Sequence, residues 1–202
     1  MKLKTADIDM LHGPLVKKLL LFTLPIALSS ILQQLFNAAD TAVVGFFGNA
    51  DALAAVGTNT EIIALIVTIS SGLSIGANIL IANRIGQNRE NEIPNAVQTA
   101  MLLAIIIGVI GSFLGQGVAR PLLRLIRTPE SIFGAAELYL RIYILGYPFL
   151  LLYDFGSAAL RARGDSRYPF LALVISGVAN VGLNLFFVIV FRMGVAGVAL
   201  AT

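Results

Sequence analysis

The sequence predicts an all-α integral membrane protein, a bundle of five complete transmembrane helices plus the start of a sixth. Its 202 residues are 57% hydrophobic and only 12% charged, whereas soluble domains carry roughly 25% charged residues. Four runs longer than 20 residues contain no charged side chain, and about 20 apolar residues are enough to cross a bilayer. These runs are residues 19–39, 62–83, 93–119 and 168–191.

The six predicted helices follow from these runs and from the polar or glycine-containing connectors between them. They span residues 15–40, 53–83, 94–119, 132–160, 167–191 and 194–202. The fourth is apolar but carries Glu137, Arg141 and Asp154. The apolar tail of the sixth reaches about 15 Å, half of the roughly 30 Å hydrocarbon layer. We therefore expect the chain to stop inside its sixth helix, as a fragment or a truncated product.

Basic residues in the connectors predict the orientation, because cytoplasmic loops carry an excess of Lys and Arg. With the N-terminus inside, nine basic residues lie in inner segments and five in outer ones. We therefore expect a multi-pass protein of the cell inner membrane, with residues 1–13 as a cytoplasmic segment and residues 14–202 as a transmembrane lobe. The inner residues are Lys2, Lys4, Lys17, Lys18, Arg84, Arg89, Arg161, Arg163 and Arg167; the outer ones are Arg120, Arg124, Arg127, Arg141 and Arg192.

Several classes of function are excluded by residues that the chain lacks. There is no cysteine, and His12, in the polar N-terminal segment, is the single histidine, so no thiolate or histidine-rich metal centre can be built, and no Ser-His-Asp triad inside the bilayer. No glycine-rich phosphate-binding loop ending in Gly-Lys-Ser/Thr is present. The net charge of +3 is small and reflects topology. We expect neither an enzyme, a cofactor, a metal site nor a nucleic-acid partner.

The most informative residue is Asp40, an acid at the end of the first apolar run. A carboxylate at the centre of a membrane helix costs roughly 2.5–3.5 kcal/mol on insertion scales, so such a residue usually has a function. Desolvation in an apolar environment favours the neutral form of a carboxyl group.

Polar side chains follow one face of three predicted helices, at spacings of three, four or seven residues. One interpretation is that they join helices by hydrogen bonds; the other is that the bundle has a wet interior. By depth, Asp40 can share an outward-facing cavity with polar residues of the fifth helix, whereas Asp154 lies near Arg161 and the inner face. The three stripes are Ser30, Gln33, Asn37 and Asp40; Glu61, Thr68, Ser71 and Asn78; and Ser176, Asn180 and Asn184.

Proline and glycine mark further features of the helices. Pro25 removes a backbone hydrogen bond within the first helix, so we expect a bend there, either static or part of a movement. The pairs Gly72/Gly76 and Gly111/Gly115 predict close helix packing within the bundle, with dimerisation through these faces as the alternative.

Several motifs in order resemble the multidrug and toxic compound extrusion (MATE) family. The segment LFTLPIALSSILQQLFNAADTAVVGFFGNADALAAVG is similar to the first helix and outer loop of that family, and SGLSIGANILIANRIGQNR to its second helix. LRARGDSRYP, GVANVGLNLFFVIV and GVAGVALAT resemble the loop before the fifth helix, the fifth helix and the start of the sixth. The resemblance runs from residue 13 to residue 202.

This resemblance implies the N-terminal lobe of a two-lobed, 12-helix transporter. Family members are secondary antiporters that export cationic or amphipathic drugs in exchange for H⁺ or Na⁺. It implies that Asp40, Asn180 and Asn184 form a cation-coupling site and that the first helix bends around Pro25. Asp154 occupies a position where Asn is common, which leaves a second acid in the lobe as an alternative.

The expected substrate cavity and partners follow from the same resemblance. Gln34 and Thr202 match cavity-lining positions of some members, and Asn37 shares the polar face of Asp40. The partners implied are drug molecules, the lipid bilayer, and a missing C-terminal lobe or a second copy of the chain.

Two alternatives to drug export remain. One is a flippase for lipid-linked saccharides, which the absence of internal Lys or Arg in four of the helices disfavours. The other is a non-transporting membrane remnant, since half of a two-lobed transporter cannot alternate access by itself.

Overall fold

The computed structural model describes residues 15–48 and 50–202, which are almost entirely helical. The predicted cytoplasmic segment, residues 1–13 with His12, lies outside the described residues. The helices are α1 (Leu15–Phe47), α2 (Ala50–Gly86), α3 (Ile93–Leu125), α4 (Glu130–Leu145), α5 (Tyr147–Ala162), α6 (Arg167–Leu185) and α7 (Val195–Ala201). A 3₁₀ turn (Glu90–Glu92) precedes α3, and a π-helical segment (Phe186–Val190) follows α6.

Membrane-spanning length and composition are met by four single helices, and by a fifth span if α4 and α5 are counted together. The four are α1, α2, α3 and α6 with its π segment. α7 is only seven residues long. The prediction of five complete spans and the start of a sixth is therefore confirmed, with one change in the fourth span.

That fourth span was wrongly predicted as one unbroken helix over residues 132–160. It is two helices that meet at an angle of 46°. Gly146 ends α4, and Pro148 lies in the first turn of α5. Proline lacks an N–H group, and its ring clashes with the carbonyl group four residues earlier, here that of Ile144. The span therefore breaks at the Gly146–Pro148 step, although its composition stays apolar throughout.

The helices also extend into segments that were predicted as connectors. α1 continues to Phe47 and passes through Pro25 without interruption. α3 continues through Pro121 to Leu125. Its end is closed by a tight turn in which Arg127 has a positive φ of 57° and the Thr128 N–H donates to the Leu123 carbonyl at 3.1 Å. The actual connector between α3 and α4 is therefore much shorter than the predicted residues 120–131.

Close packing between α3 and the bent span depends on glycine. A Cβ atom at Gly108 would lie 2.6 Å from the Cα of Pro148, and one at Gly115 would lie 2.8 Å from the Ile144 side chain. Gly111 packs against the Tyr147 ring in the same way. The predicted packing role of Gly111 and Gly115 is thus confirmed. For Gly72 and Gly76 the prediction was wrong, because both lie on an open face of α2.

α1 lies at one side of the bundle, where it packs mainly against α6 and also touches α2 and α7. The Ser166 hydroxyl, just before α6, donates to the Phe22 carbonyl of α1 at 2.9 Å. Farther along, the Phe36 ring covers Gly177, where no side chain would fit. α3 packs on the other side, against α5, α4 and α2. These contacts place the second half of α1 beside the end of α6.

Candidate functional site

The side chain of Asp40 lies at the junction of α1, α6 and α7. Asp40 is 7% exposed and Asn184 is fully buried. The Asn184 side-chain amide donates a short hydrogen bond to Oδ1 of Asp40 and a longer one, 3.3 Å, to Oδ1 of Asn180. Hydrogen bonds through Asn184 therefore connect the predicted residues Asp40, Asn180 and Asn184, although Asp40 and Asn184 are 144 positions apart.

Thr202 closes this cluster from the end of α7. Its hydroxyl lies 3.4 Å from Oδ2 of Asp40 and 2.9 Å from the Val198 carbonyl. It also accepts from the Asn180 side-chain amide at 3.4 Å. A hydroxyl has one hydrogen to donate, so Thr202 can serve either the carboxylate or its own helix backbone, but not both fully. We call Asp40, Asn180, Asn184 and Thr202 the polar cluster.

The polar cluster consists of oxygen and amide groups around one carboxylate. Among the described residues, Asp40 has two hydrogen-bond partners. These are Asn184 and Thr202, and both are neutral. The Asn184 Oδ1 atom is buried and has no hydrogen-bond partner within the described part of the chain. A buried polar atom without a partner is costly unless a further group satisfies it. Among the described residues, the cluster thus has a carboxylate without a cationic partner and, beside it, an amide oxygen without a hydrogen-bond partner.

The local backbone places these side chains at the ends of their helices. Asn180 and Asn184 are one turn apart on α6, and the π-helical segment begins two residues after Asn184. π segments inside α-helices occur often at functional sites. Arg192 and Gly194 then turn the chain with φ values of 53° and 54°, and α7 returns along the bundle. This return brings Thr202 back to Asp40.

Tyr139 of α4 was not identified from the sequence, although it borders the polar cluster. Its side chain lies close to Thr202 and Asp40 and interacts electrostatically with both. It is buried, on the same face of α4 as Ile132, Ala136 and Leu140. In the sequence that face reads as a helical stripe of apolar residues, and a tyrosine within such a stripe gives no signal of its own.

Asn59 of α2 is a second buried polar residue that was missed. Its side-chain amide donates to the Ala55 and Ala136 carbonyls at 2.9 and 3.0 Å. Asn78 likewise donates to the Ala158 carbonyl of α5 at 2.8 Å. Both therefore link α2 to the bent span by hydrogen bonds, and at these two positions the helix-joining interpretation of intramembrane polar residues applies.

Gln34 and Asn37, the other predicted cavity residues on α1, are exposed and lie outside the polar cluster's hydrogen bonds. Gln34 and Asn37 thus lie on a part of α1 that the described helices leave open, whereas Asp40 is buried against α6 and α7. Pro25 lies 15 positions before Asp40, within the unbroken part of α1.

Other charged groups lie on the bent span. Asp154 is within electrostatic range of Arg161 in α5, but Oδ2 of Asp154 and Nε of Arg161 are both buried without a hydrogen-bond partner among the described residues. Glu137 and Arg141 form an ion pair on α4 at 2.8 Å.

A cavity of about 760 Å³ opens at the end of the bundle, between the α1–α2 turn and the start of α7. Asp51, Ser131 and Arg192 are among the residues that line it, and the polar cluster is not. The cavity and the polar cluster are therefore separate features.

A multi-span helical bundle with an acid-centred polar cluster between its helices defines a multi-pass membrane protein. The MatE family model matches residues 25–186. The chain belongs to the MatE family.

The relatives support this assignment over nearly the whole chain. The probable multidrug resistance protein YpnP of Bacillus subtilis is 34% identical over 96% of the chain, which covers 44% of YpnP. A multidrug resistance MATE family transporter of the MOP superfamily, solved in an outward-facing conformation, matches with a TM-score of 0.90 and 26% identity over 100% of the chain and 44% of that structure. A MATE solved in the bent conformation matches equally well, at TM-score 0.90 and 27% identity over 98% of the chain and 44% of that structure. The chain thus spans less than half of these proteins.

Proposed function

We propose that this chain forms the N-terminal lobe of a secondary active exporter that moves cationic or amphipathic drugs out of the cell in exchange for H⁺ or Na⁺. The observation that carries the proposal is the burial of Asp40, whose hydrogen-bond partners within the described part of the chain are both neutral. A buried carboxylate without a counter-charge is unfavourable, and binding a proton or a sodium ion would neutralise it. YpnP, the relative described above, is named for multidrug resistance, which supports drugs as the substrate class.

In this proposal each residue of the site has a distinct role. Asp40 binds the coupling cation, and Asn180 and Asn184 supply neutral oxygen or amide groups around it. Gln34, Asn37 and Thr202 line the substrate cavity on the open polar face of α1. The hydrogen bond from Thr202 to Asp40 would link cavity and cation site. Pro25 allows α1 to bend when the occupancy of Asp40 changes.

The proposal also includes a partner for the lobe, its orientation in the membrane and its source of energy. The open face of α1 would be covered by a C-terminal lobe or by a second copy of the chain, in a cell membrane with the N-terminus in the cytoplasm. No cofactor or metal is required, because transport is driven by the cation gradient. The chain is thus a transport component and not an enzyme.

Gradient-driven transport in liposomes tests the coupling. With the intact transporter reconstituted, export of a fluorescent cationic dye should need an opposing gradient of H⁺ or Na⁺. A protonophore removes the H⁺ gradient, and a sodium ionophore removes the Na⁺ gradient. The reagent that stops export therefore identifies the coupling ion. Export that persists at full rate without either gradient would contradict secondary active antiport.

The two alternatives make different predictions. A flippase for lipid-linked saccharides would move a fluorescent lipid-linked sugar and leave the dye in place. A non-transporting remnant would do neither. An N-terminally tagged product that runs near twice 21.4 kDa on a denaturing gel would favour a two-lobed transporter, whereas a band at the chain's own mass would require two copies to assemble.

A further inference from the structure

A basic surface lies where α3 ends and α4 begins, away from the polar cluster. Four arginines and two glutamates are found there: Arg120, Arg124, Arg127 and Arg141 with Glu130 and Glu137. The carboxylate of Glu137 is shared, since it pairs with Arg141 at 2.8 Å and with Arg120 at 3.7 Å. Within residues 15–48 and 50–202, no salt bridge involves Arg124 or Arg127. This corner therefore carries excess positive charge.

Two of these arginines share one face of α3 with an apolar surface. Phe113, Gly117, Arg120 and Arg124 follow each other at spacings of four, three and four residues, which places them on one side of the helix. Phe113 is 76% exposed, and the space beside Gly117 is open. The side chain of Arg120 is 57% exposed. The face thus changes from apolar to cationic within about 16 Å of helix.

The same face points away from the rest of the protein. α3 packs against α2, α4 and α5, whereas the open polar face belongs to α1, which packs on the opposite side against α6. In a membrane-spanning chain, an exposed apolar helix face is covered by lipid tails. Arginines at the end of such a helix are then at the depth of the head groups.

We propose that this face of α3 is a binding site for an anionic phospholipid. The phosphate of the head group would lie between Arg120 and Arg124, because a guanidinium group donates two parallel hydrogen bonds to a phosphate. One acyl chain would lie along Gly117 and Phe113. Glu137 neutralises only part of the charge, so an anionic head group fits this corner better than a zwitterionic one. This site is independent of the transport proposed above.

A tryptophan reporter provides a direct test, because the chain contains no tryptophan. Phe113→Trp places one in the site of the 202-residue chain, and its fluorescence is quenched by brominated lipids that contact it. In mixed bilayers, brominated phosphatidylglycerol should bind at least about fivefold better than brominated phosphatidylcholine. About fivefold is the factor expected from the attraction of one surface arginine to anionic lipid. We call this factor the lipid-binding ratio. With Arg120→Gln and Arg124→Gln together, the ratio should fall to about one.

A matched reporter separates a site from a general preference for anionic lipid. Leu102 is 56% exposed and lies 11 positions before Phe113, on the same face of α3 but about 16 Å toward its other end. Leu102→Trp should show a ratio near one, with or without the arginines. Equal preference at both positions, or a preference at position 113 that survives loss of the arginines, would overturn the proposal.

A single substitution covers the case in which the double variant does not fold. Arg124 makes no salt bridge among the described residues, so Arg124→Gln removes charge without breaking one. If the site exists, Arg124→Gln should lower the ratio of phosphatidylglycerol to phosphatidylcholine binding, measured at position 113, at least twofold. Arg163→Gln, which removes an exposed arginine beyond α5 at the opposite end of the bundle, should leave the ratio unchanged. An Arg124→Gln ratio equal to that of Arg163→Gln would contradict the site.

Discussion

Asn184 contributes more to the polar cluster than the other neutral residues do. It touches both Asp40 and Asn180, is fully buried, and its side-chain oxygen has no hydrogen-bond partner among the described residues. Asn180 reaches the carboxylate only through Asn184 or through Thr202, at 3.3 and 3.4 Å. The two asparagines therefore have unequal roles, although they look alike in sequence.

We predict that Asn184→Ala lowers drug export at least about tenfold, whereas Asn180→Ala lowers it less than threefold. A hydrogen bond to a charged group contributes about 1.5–3 kcal/mol, and each 1.4 kcal/mol is a factor of ten. Initial rates of dye export, normalised to the amount of protein in the membrane, measure both effects. A reversed order of the two variants would show that Asn180, and not Asn184, supports the carboxylate.

At the level of single residues, the sequence predicted the members of the polar cluster better than it predicted the buried polar residues around that cluster. Asp40 stands out because an acid is rare in an apolar run, and Asn180 and Asn184 stand out because they repeat at one helical turn. Tyr139 and Asn59 gave no such signal. Each lies within a stripe of buried apolar residues, and only the pairing of α4 with α2 and α7 shows that their polar atoms meet partners.

At the level of helices, the local sequence pattern does not predict which prolines break a helix or which glycines pack against a neighbouring helix. The break at Gly146–Pro148 was missed because apolar composition continues through it, whereas proline chemistry determines the backbone there. In contrast, Pro25 and Pro121 lie inside helices that continue. Glycine pairs were equally ambiguous: Gly111 and Gly115 face α4 and α5, while Gly72 and Gly76 face open space. Spacing identifies a face of a helix, and only tertiary packing identifies its neighbour.

Packing of α3 against α5 can be tested with two alanine substitutions on the same helix. Gly108→Ala should destabilise the bundle, because its Cβ would lie 2.6 Å from the backbone of Pro148. Overpacking costs about 1–3 kcal/mol, which exceeds the gain of about 1 kcal/mol in helix propensity. Gly117→Ala meets open space and should be at least as stable as the parent. Thermal unfolding midpoints in detergent compare the two, and a higher midpoint for Gly108→Ala would refute the contact.

At the scale of the whole molecule, the bundle leaves part of α1 uncovered. Gln34 and Asn37 are exposed among the described residues, and the chain spans 44% of the relative YpnP. Both observations suit the proposal of a lobe that faces a second one. The number of spans follows from the sequence because charge-free runs are long, whereas a second lobe belongs to the proposal.

The orientation of the bundle is testable because the chain has no cysteine. Glu130→Cys, at the start of α4, and Arg163→Cys, after α5, place single exposed thiols at opposite ends of the bundle. With the N-terminus in the cytoplasm, a membrane-impermeant maleimide should label position 130 in intact cells and position 163 only after the membrane is opened. The reverse pattern would mean that the N-terminus is outside.

The central claim is that the Asp40 carboxylate couples export to a cation, and its most direct test is export by Asp40→Asn in the intact transporter. The amide keeps the shape of the side chain but cannot bind a proton or carry the charge that attracts Na⁺. Asp51→Asn, which changes an exposed acid of α2, is the matched control. We predict that Asp40→Asn is expressed normally and exports no more dye than cells without the transporter, while Asp51→Asn exports at the parent rate. Full gradient-driven export by Asp40→Asn would contradict the account.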